Sequence, residues 1–127
     1  MPRFGKKHIG ELKEFLYNSC VHDAILKNAN YNCKDDSIII ELYNPIFDVK
    51  MDLSFLNIGI ALAIKGDWSG SHETIISLSV EEDYSFLQNY LLKYGKHMED
   101  SLYLMFQLFS GDELHIVSKE VVIEVIG

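Results

Sequence analysis

Two pairs in this 127-residue chain set a histidine beside a carboxylate, His22-Asp23 and His72-Glu73, and a further histidine, His115, lies in an apolar run. Histidine with a carboxylate is the raw material of general-base catalysis or of a metal site, provided the side chains reach each other or one ion. His22-Asp23 falls in Ser19-Cys20-Val21-His22-Asp23-Ala24-Ile25-Leu26, where a helical pattern gives way to an extended one. Adjacent side chains of an extended segment point to opposite faces, so these two do not make a dyad by themselves. The pattern favours a structural role, with Asp23 accepting backbone N–H groups at a turn and His22 packing or bonding across a sheet.

The other histidines give less. His72-Glu73 continues as Thr74-Ile75-Ile76, so the HExxH zinc pattern fails at its second histidine. Reading Gly111-Asp112 as a two-residue type II′ loop pairs Ser110 with Glu113, Phe109 with Leu114 and Leu108 with His115. His115 then shares a face with Leu108, Phe106 and Val117, as a satisfied core or rim residue. Nothing in the spacing decides whether His22, His72 and His115 converge in space. Cys20 and Cys33 form no CxxC motif and are too few for a closed zinc site, so neither metal nor disulfide is expected. Phosphate-cradling, nucleophile-elbow and EF-hand motifs are absent, and no cofactor is expected.

The elements that would position these residues read as a mixed domain. Ile9, Leu12, Phe15 and Leu16 have helical spacing over 9–17, and Asn18-Ser19 ends that helix. Asn28, Asn30 and Asn32 alternate with Ala29, Tyr31 and Cys33 as a half-exposed strand, Lys34-Asp35-Asp36 turns, and Ile38, Ile40 and Leu42 mark a second strand up to Asn44-Pro45. Over 49–64, Met51, Leu53 and Phe55 hold one parity and Leu56, Ile58, Ile60, Leu62 and Ile64 the other. A strand there needs a bulge or turn near Leu56-Asn57; a helix over 53–64 is the alternative. Lys65 to Ser71 is a loop, Thr74 to Val80 a strand, and an acidic start at Glu81-Glu82-Asp83 with Gly95 beyond its end predicts a helix near 82–94. Leu102 to Leu108 and Leu114 onward form the last hairpin, with a parity break at Lys119-Glu120. The expectation is one α+β domain over 1–127: a predominantly antiparallel sheet of about six or seven strands, an N-terminal helix and a second helix near 82–94.

Composition narrows the function. Apolar residues are 48% and charged residues 24%, an ordinary globular balance. The longest apolar run falls short of the roughly 20 residues of a membrane helix, and no apolar stretch follows the basic residues of MPRFGKKHIGELKEF, so a cytoplasmic location is expected. The net charge of −8 is uneven: Arg3, Lys6, Lys7 and Lys13 against Glu11 give the first 13 residues +3, and the other 114 carry −11. Such a body repels nucleic acid and anionic membrane and suits a basic protein partner. The basic head reads as a solvated terminus, with a small anion-binding arm as the alternative.

The His-Asp-Ala start of the first strand, within 20–43, and the hairpin through Ser110-Gly111, within 102–126, resemble small uncharacterised bacterial proteins, some grouped with immunity proteins of polymorphic toxin systems. The resemblance implies an α+β domain that binds a protein, and it carries over no catalytic residue. The expected function is a non-catalytic protein-binding module, immunity-like, that occludes a partner. Trp68 with Asp67 and Glu73 is its expected contact site, ahead of His22 and Asp23, because a few buried aromatic anchors carry most of an interface's affinity. The alternatives are a small-ligand module using the Trp68 loop and a hydrolase with a histidine general base.

Overall fold

Alternation of apolar and polar side chains builds most of the regular structure. The computed structural model describes residues 2–19, 21–64, 74–83, 85–88 and 101–126. In chain order these give β1 (Arg3–Gly5), a 3-10 turn (Lys6–His8), α1 (Ile9–Tyr17), β2 (Ile25–Asn32), β3 (Ser37–Asn44), β4 (Val49–Ile64), β5 (Ile75–Glu81), a 3-10 turn (Ser85–Leu87), β6 (Leu102–Leu108) and β7 (Glu113–Ile126). All pairings are antiparallel, in the order β2-β3-β4-β7-β6-β5, with β1 added to the far half of β7. The two ends of this order meet at one corner. Thr74 bridges Ile25, Ile75 N donates to Ala24 O, and Asp23 N donates to Ile75 O.

The sheet so curled encloses the main core. Ile38, Ile40 and Leu42 of β3, Met51, Leu53 and Phe55 of β4, Leu104 and Phe106 of β6, and Ile116, Val121 and Ile123 of β7 are buried together. Helix α1 adds Leu12 and Leu16 from its apolar stripe and ends as expected, with Asn18 Nδ2 and Ser19 Oγ donating to the carbonyls of Glu14 and Leu16. Two tight turns share one device. Tyr31 and Tyr43 donate their hydroxyls to Asp36 and Asp48, five residues on, and both aspartates have positive φ. Aspartate tolerates that left-handed conformation better than most residues.

The segment 49–64 is the expected strand rather than the alternative helix, and its parity switch is real; other expectations need correcting. Asn57 has φ 56°, and the pairing with β7 slips between Ile58 and Ile60. Ile58 therefore enters the main core while Ile60 packs outside it, so the even positions do not share one face. β2 is an edge strand exposed along 27–32 rather than half-exposed. Of the second helix expected near 82–94, Ser85–Leu87 is a 3-10 turn and Gln88 is helical, and 84 and 89–94 lie outside the described residues.

The last hairpin is also different. Leu108 N donates to Asp112 O and Gly111 N to Leu108 O, so Phe109, Ser110 and Gly111 form a three-residue loop with Gly111 at φ 87°. This is the turn-plus-bulge loop, not the two-residue type II′ turn. His115 pairs with Met105 rather than Leu108. An odd slip of register exchanges faces, so His115 sides with Met105, Tyr103 and Val117 and faces away from Phe106 and Leu108.

Candidate functional site

Among the described residues, a hydrogen-bonded line of buried polar side chains lies on that outer face. Tyr103, Val117, Ile60 and Leu87 are buried there, with Leu62 and Met105 packed against them. His115 is 2% exposed, and its Nε2 lies 2.9 Å from Glu113 Oε1 while its Nδ1 meets the Tyr103 hydroxyl. A carboxylate only accepts, so neutral His115 carries its proton on Nε2, and Nδ1 accepts the Tyr103 O–H. Burial pushes the Tyr103 hydroxyl up to about 12, with the charges of Glu81, Glu113 and Asp83 adding to the effect. The Phe86 ring stacks on the imidazole at 4.9 Å and 22°. Both ring nitrogens are thus engaged and the ring is shut from solvent. Such a line holds protons in place and specifies a buried face; a general base must instead reach the proton it abstracts.

Trp68, Asp67, Glu73 and His72 lie outside the described residues. His22-Asp23 is a turn, not an extended pair. Asp23 has φ 68°, and the His22 side chain is exposed while its carbonyl accepts Asn44 Nδ2 at 3.4 Å. The stretch is where α1 hands over to β2. Cys33 is an exposed free thiol. Among the described residues no group of three or more His, Cys, Asp or Glu is placed to hold a metal ion, and no helix is long and apolar enough to cross a membrane.

A surface that no spacing announced lies beside α1. A groove of about 500 Å³ runs between the helix and the strand ends, lined by Phe4, Phe15, Val49, Met51 and Val125, with Glu11, Glu14, Asn18 and Ser19 also on its walls. Phe4 packs on Phe15 at 5.5 Å between ring centres, which fixes the groove's floor. The strand ends are brought together by pairing, Met51 with Val125 and Lys50 with Ile126. Next to Val49 the β3–β4 turn exposes Ile46 and Phe47 by about two thirds. Buried Asn44 holds that turn, its Oδ1 accepting Ile46 N and Phe47 N, and its Nδ2 ties the turn to His22 O. Val125 is about half exposed at the groove's edge, whereas Ile126, on the other face of β7, lines a separate hollow with Lys27, Tyr43 and Lys50. One signal in the sequence pointed here: Ile46-Phe47 is an apolar pair inside a Pro45-to-Asp48 turn, where the chain has little core to reach.

No protein-family model matches this chain, and a search of curated proteins finds no relative.

Proposed function

We propose that the protein is a non-catalytic protein-binding module that receives a basic, apolar-anchored segment of its partner in the groove beside α1. The carrying observation is the groove itself, an apolar floor rimmed by Glu11 and Glu14 and reaching half-exposed Val125, with exposed Ile46 and Phe47 in the turn that leads into its Val49 wall. Contiguous exposed apolar surface rimmed by polar residues marks interaction sites. Two rim carboxylates on a chain of net charge −8 select a cationic segment and raise its association rate, and the apolar floor supplies most of the affinity. Blocking a partner by covering it agrees with the resemblance to immunity proteins.

The test is site-specific. A photo-crosslinking residue replaces Phe47 in one variant and Ile39, exposed on β3, in another, and the cross-linked peptides from the protein's own cells are sequenced. The expected product joins position 47 to a Lys/Arg-rich segment with apolar anchors. Glu11→Lys with Glu14→Lys removes it, and raised salt weakens it. Equal cross-linking from both positions, or indifference to charge reversal, sinks the proposal.

A further inference from the structure

β2 leaves one edge of the sheet open. Beyond the corner where Thr74 bridges Ile25, Asn28 to Asn32 pair with β3 on one side, and among the described residues nothing pairs with their other side. Such an edge presents a row of unpaired N–H and C=O groups, and proteins blunt it with charge, proline, a bulge or a covering element. Asn28-Ala29-Asn30-Tyr31-Asn32 has no charge and no proline. The bulge of this pairing lies before it, between Leu26 and Asn28. Both faces of the stretch are exposed as well. Ala29 and Tyr31 lie opposite Ile40 and Ile38 and so stand on the inner side of the sheet. Tyr31 is nevertheless 59% exposed, so the core does not reach under β2.

An open edge accepts a further strand. A second copy can supply one only about a two-fold axis that keeps inner side chains opposite inner ones, which places the axis at a residue rather than between two. An axis at Asn30 matches the whole stretch to itself. Asn28 then meets Asn32, Asn30 meets Asn30, and Ala29 meets Tyr31, a small side chain against a large one on the uncovered inner side. Each Lys27 arrives beside the other copy's Lys34-Asp35-Asp36 turn, which is net −1. Asp35 and Asp36 already accept hydrogen bonds from Asn32 and Tyr31, so this attraction orients the copies while the backbone ladder holds them. Axes at Ala29 or Tyr31 would instead set Tyr31 against Lys27 or against its own counterpart. We infer that the edge of β2 over 28–32 is the interface of a two-fold homodimer, in which the sheets of two copies join through β2. So short an interface is weak and depends on concentration.

The test is sedimentation equilibrium of the full chain from micromolar to millimolar concentration, where a monomer–dimer equilibrium is expected. Asn30→Lys sets two like charges face to face at the axis and should weaken the dimer about fivefold, as should Asn30→Glu. An equimolar mixture of these two variants should recover the dimer, because opposite charges then meet; a fold damaged at position 30 would not. Cysteine pairing in a Cys33→Ser chain reads the register. Asn30→Cys should link to itself on mild oxidation, since directly opposed Cα atoms lie about 4.5–5.5 Å apart, within disulfide reach. Asn28→Cys should link to Asn32→Cys in a mixture but not to itself, because its own counterpart lies about 14 Å along the strand. A chain that stays monomeric at millimolar concentration overturns the proposal. So does a dimer indifferent to charge at position 30, or Asn28→Cys linking to itself as readily as Asn30→Cys.

Discussion

The β6–β7 ladder is buried on both faces, but the two faces are built differently. Inward, Leu104, Phe106 and Ile116 are fully buried in a core that is apolar but for Ser118, whose hydroxyl donates to Glu120 O, and Phe106 meets Phe55 edge-on at 6.2 Å. Outward, Tyr103 and His115 are buried almost as deeply, yet they carry polar atoms that must find partners, and the Glu113–His115–Tyr103 line provides them. The inner face gains stability by volume filled, the outer by hydrogen bonds satisfied. A cavity and an orphaned polar atom are different failures, and substitution separates them.

The largest expected effect is on the inner face. Phe106→Ala should cost about 3–5 kcal/mol, because neighbours fixed by the sheet ladder cannot collapse into the space. Met105→Ala, one residue away on the half-buried outer side, should cost about 1–2 kcal/mol, since surface is lost there with little cavity. Urea unfolding of both variants checks this. Equal costs would mean that the outer face is packed as tightly as the core.

Tyr103 tests the outer face. Tyr103→Phe should cost about 1–3 kcal/mol at neutral pH, because His115 Nδ1 loses its donor in a buried site. The same residue predicts a pH dependence whose sign follows from its raised folded-state value. Below pH 10 both folded and unfolded chains keep the phenol protonated, and the stabilisation is fully present. Between pH 10 and about 12 the unfolded chain sheds the proton while the folded one keeps it, so stability falls by on the order of 2 kcal/mol. Tyr31 and Tyr43 are also raised, by donating to Asp36 and Asp48, and give a background slope. The diagnostic quantity is therefore the difference between wild type and Tyr103→Phe across that window, read from unfolding curves. If the two curves run parallel, the phenol is not held protonated by the fold.

The sequence carried much of the fold and little of the candidate surface. Helix α1, strand β3 and the kink near Asn57 were legible because apolar spacing reports which side chains share a face. The two long strands switch parity on the same rung, Leu56 opposite Glu120, and both breaks were visible as breaks. The face of His115 was not legible. Gly111 is compatible with a two-residue or a three-residue loop, and that single choice shifts every later residue to the other side. The groove was hidden for another reason. Its walls join α1 to strand ends that lie as far off as Val125, a juxtaposition created by pairing rather than by local spacing.

The smallest effect tests that loop directly. Gly111 has φ 87° at the third position of the three-residue loop, where an alanine Cβ meets the following carbonyl, so Gly111→Ala should cost about 1 kcal/mol. Asparagine visits the left-handed region more readily than alanine, because its short polar side chain bonds locally to the backbone. Gly111→Asn should therefore recover about half of the loss. A two-residue type II′ loop would set a different requirement, since its first central position belongs to glycine. The two variants, compared by thermal unfolding, thus distinguish the loops. If asparagine is no better tolerated than alanine, the shorter loop holds. His115 would then turn back toward Phe106, and the polar line on the outer face would dissolve with the register that creates it.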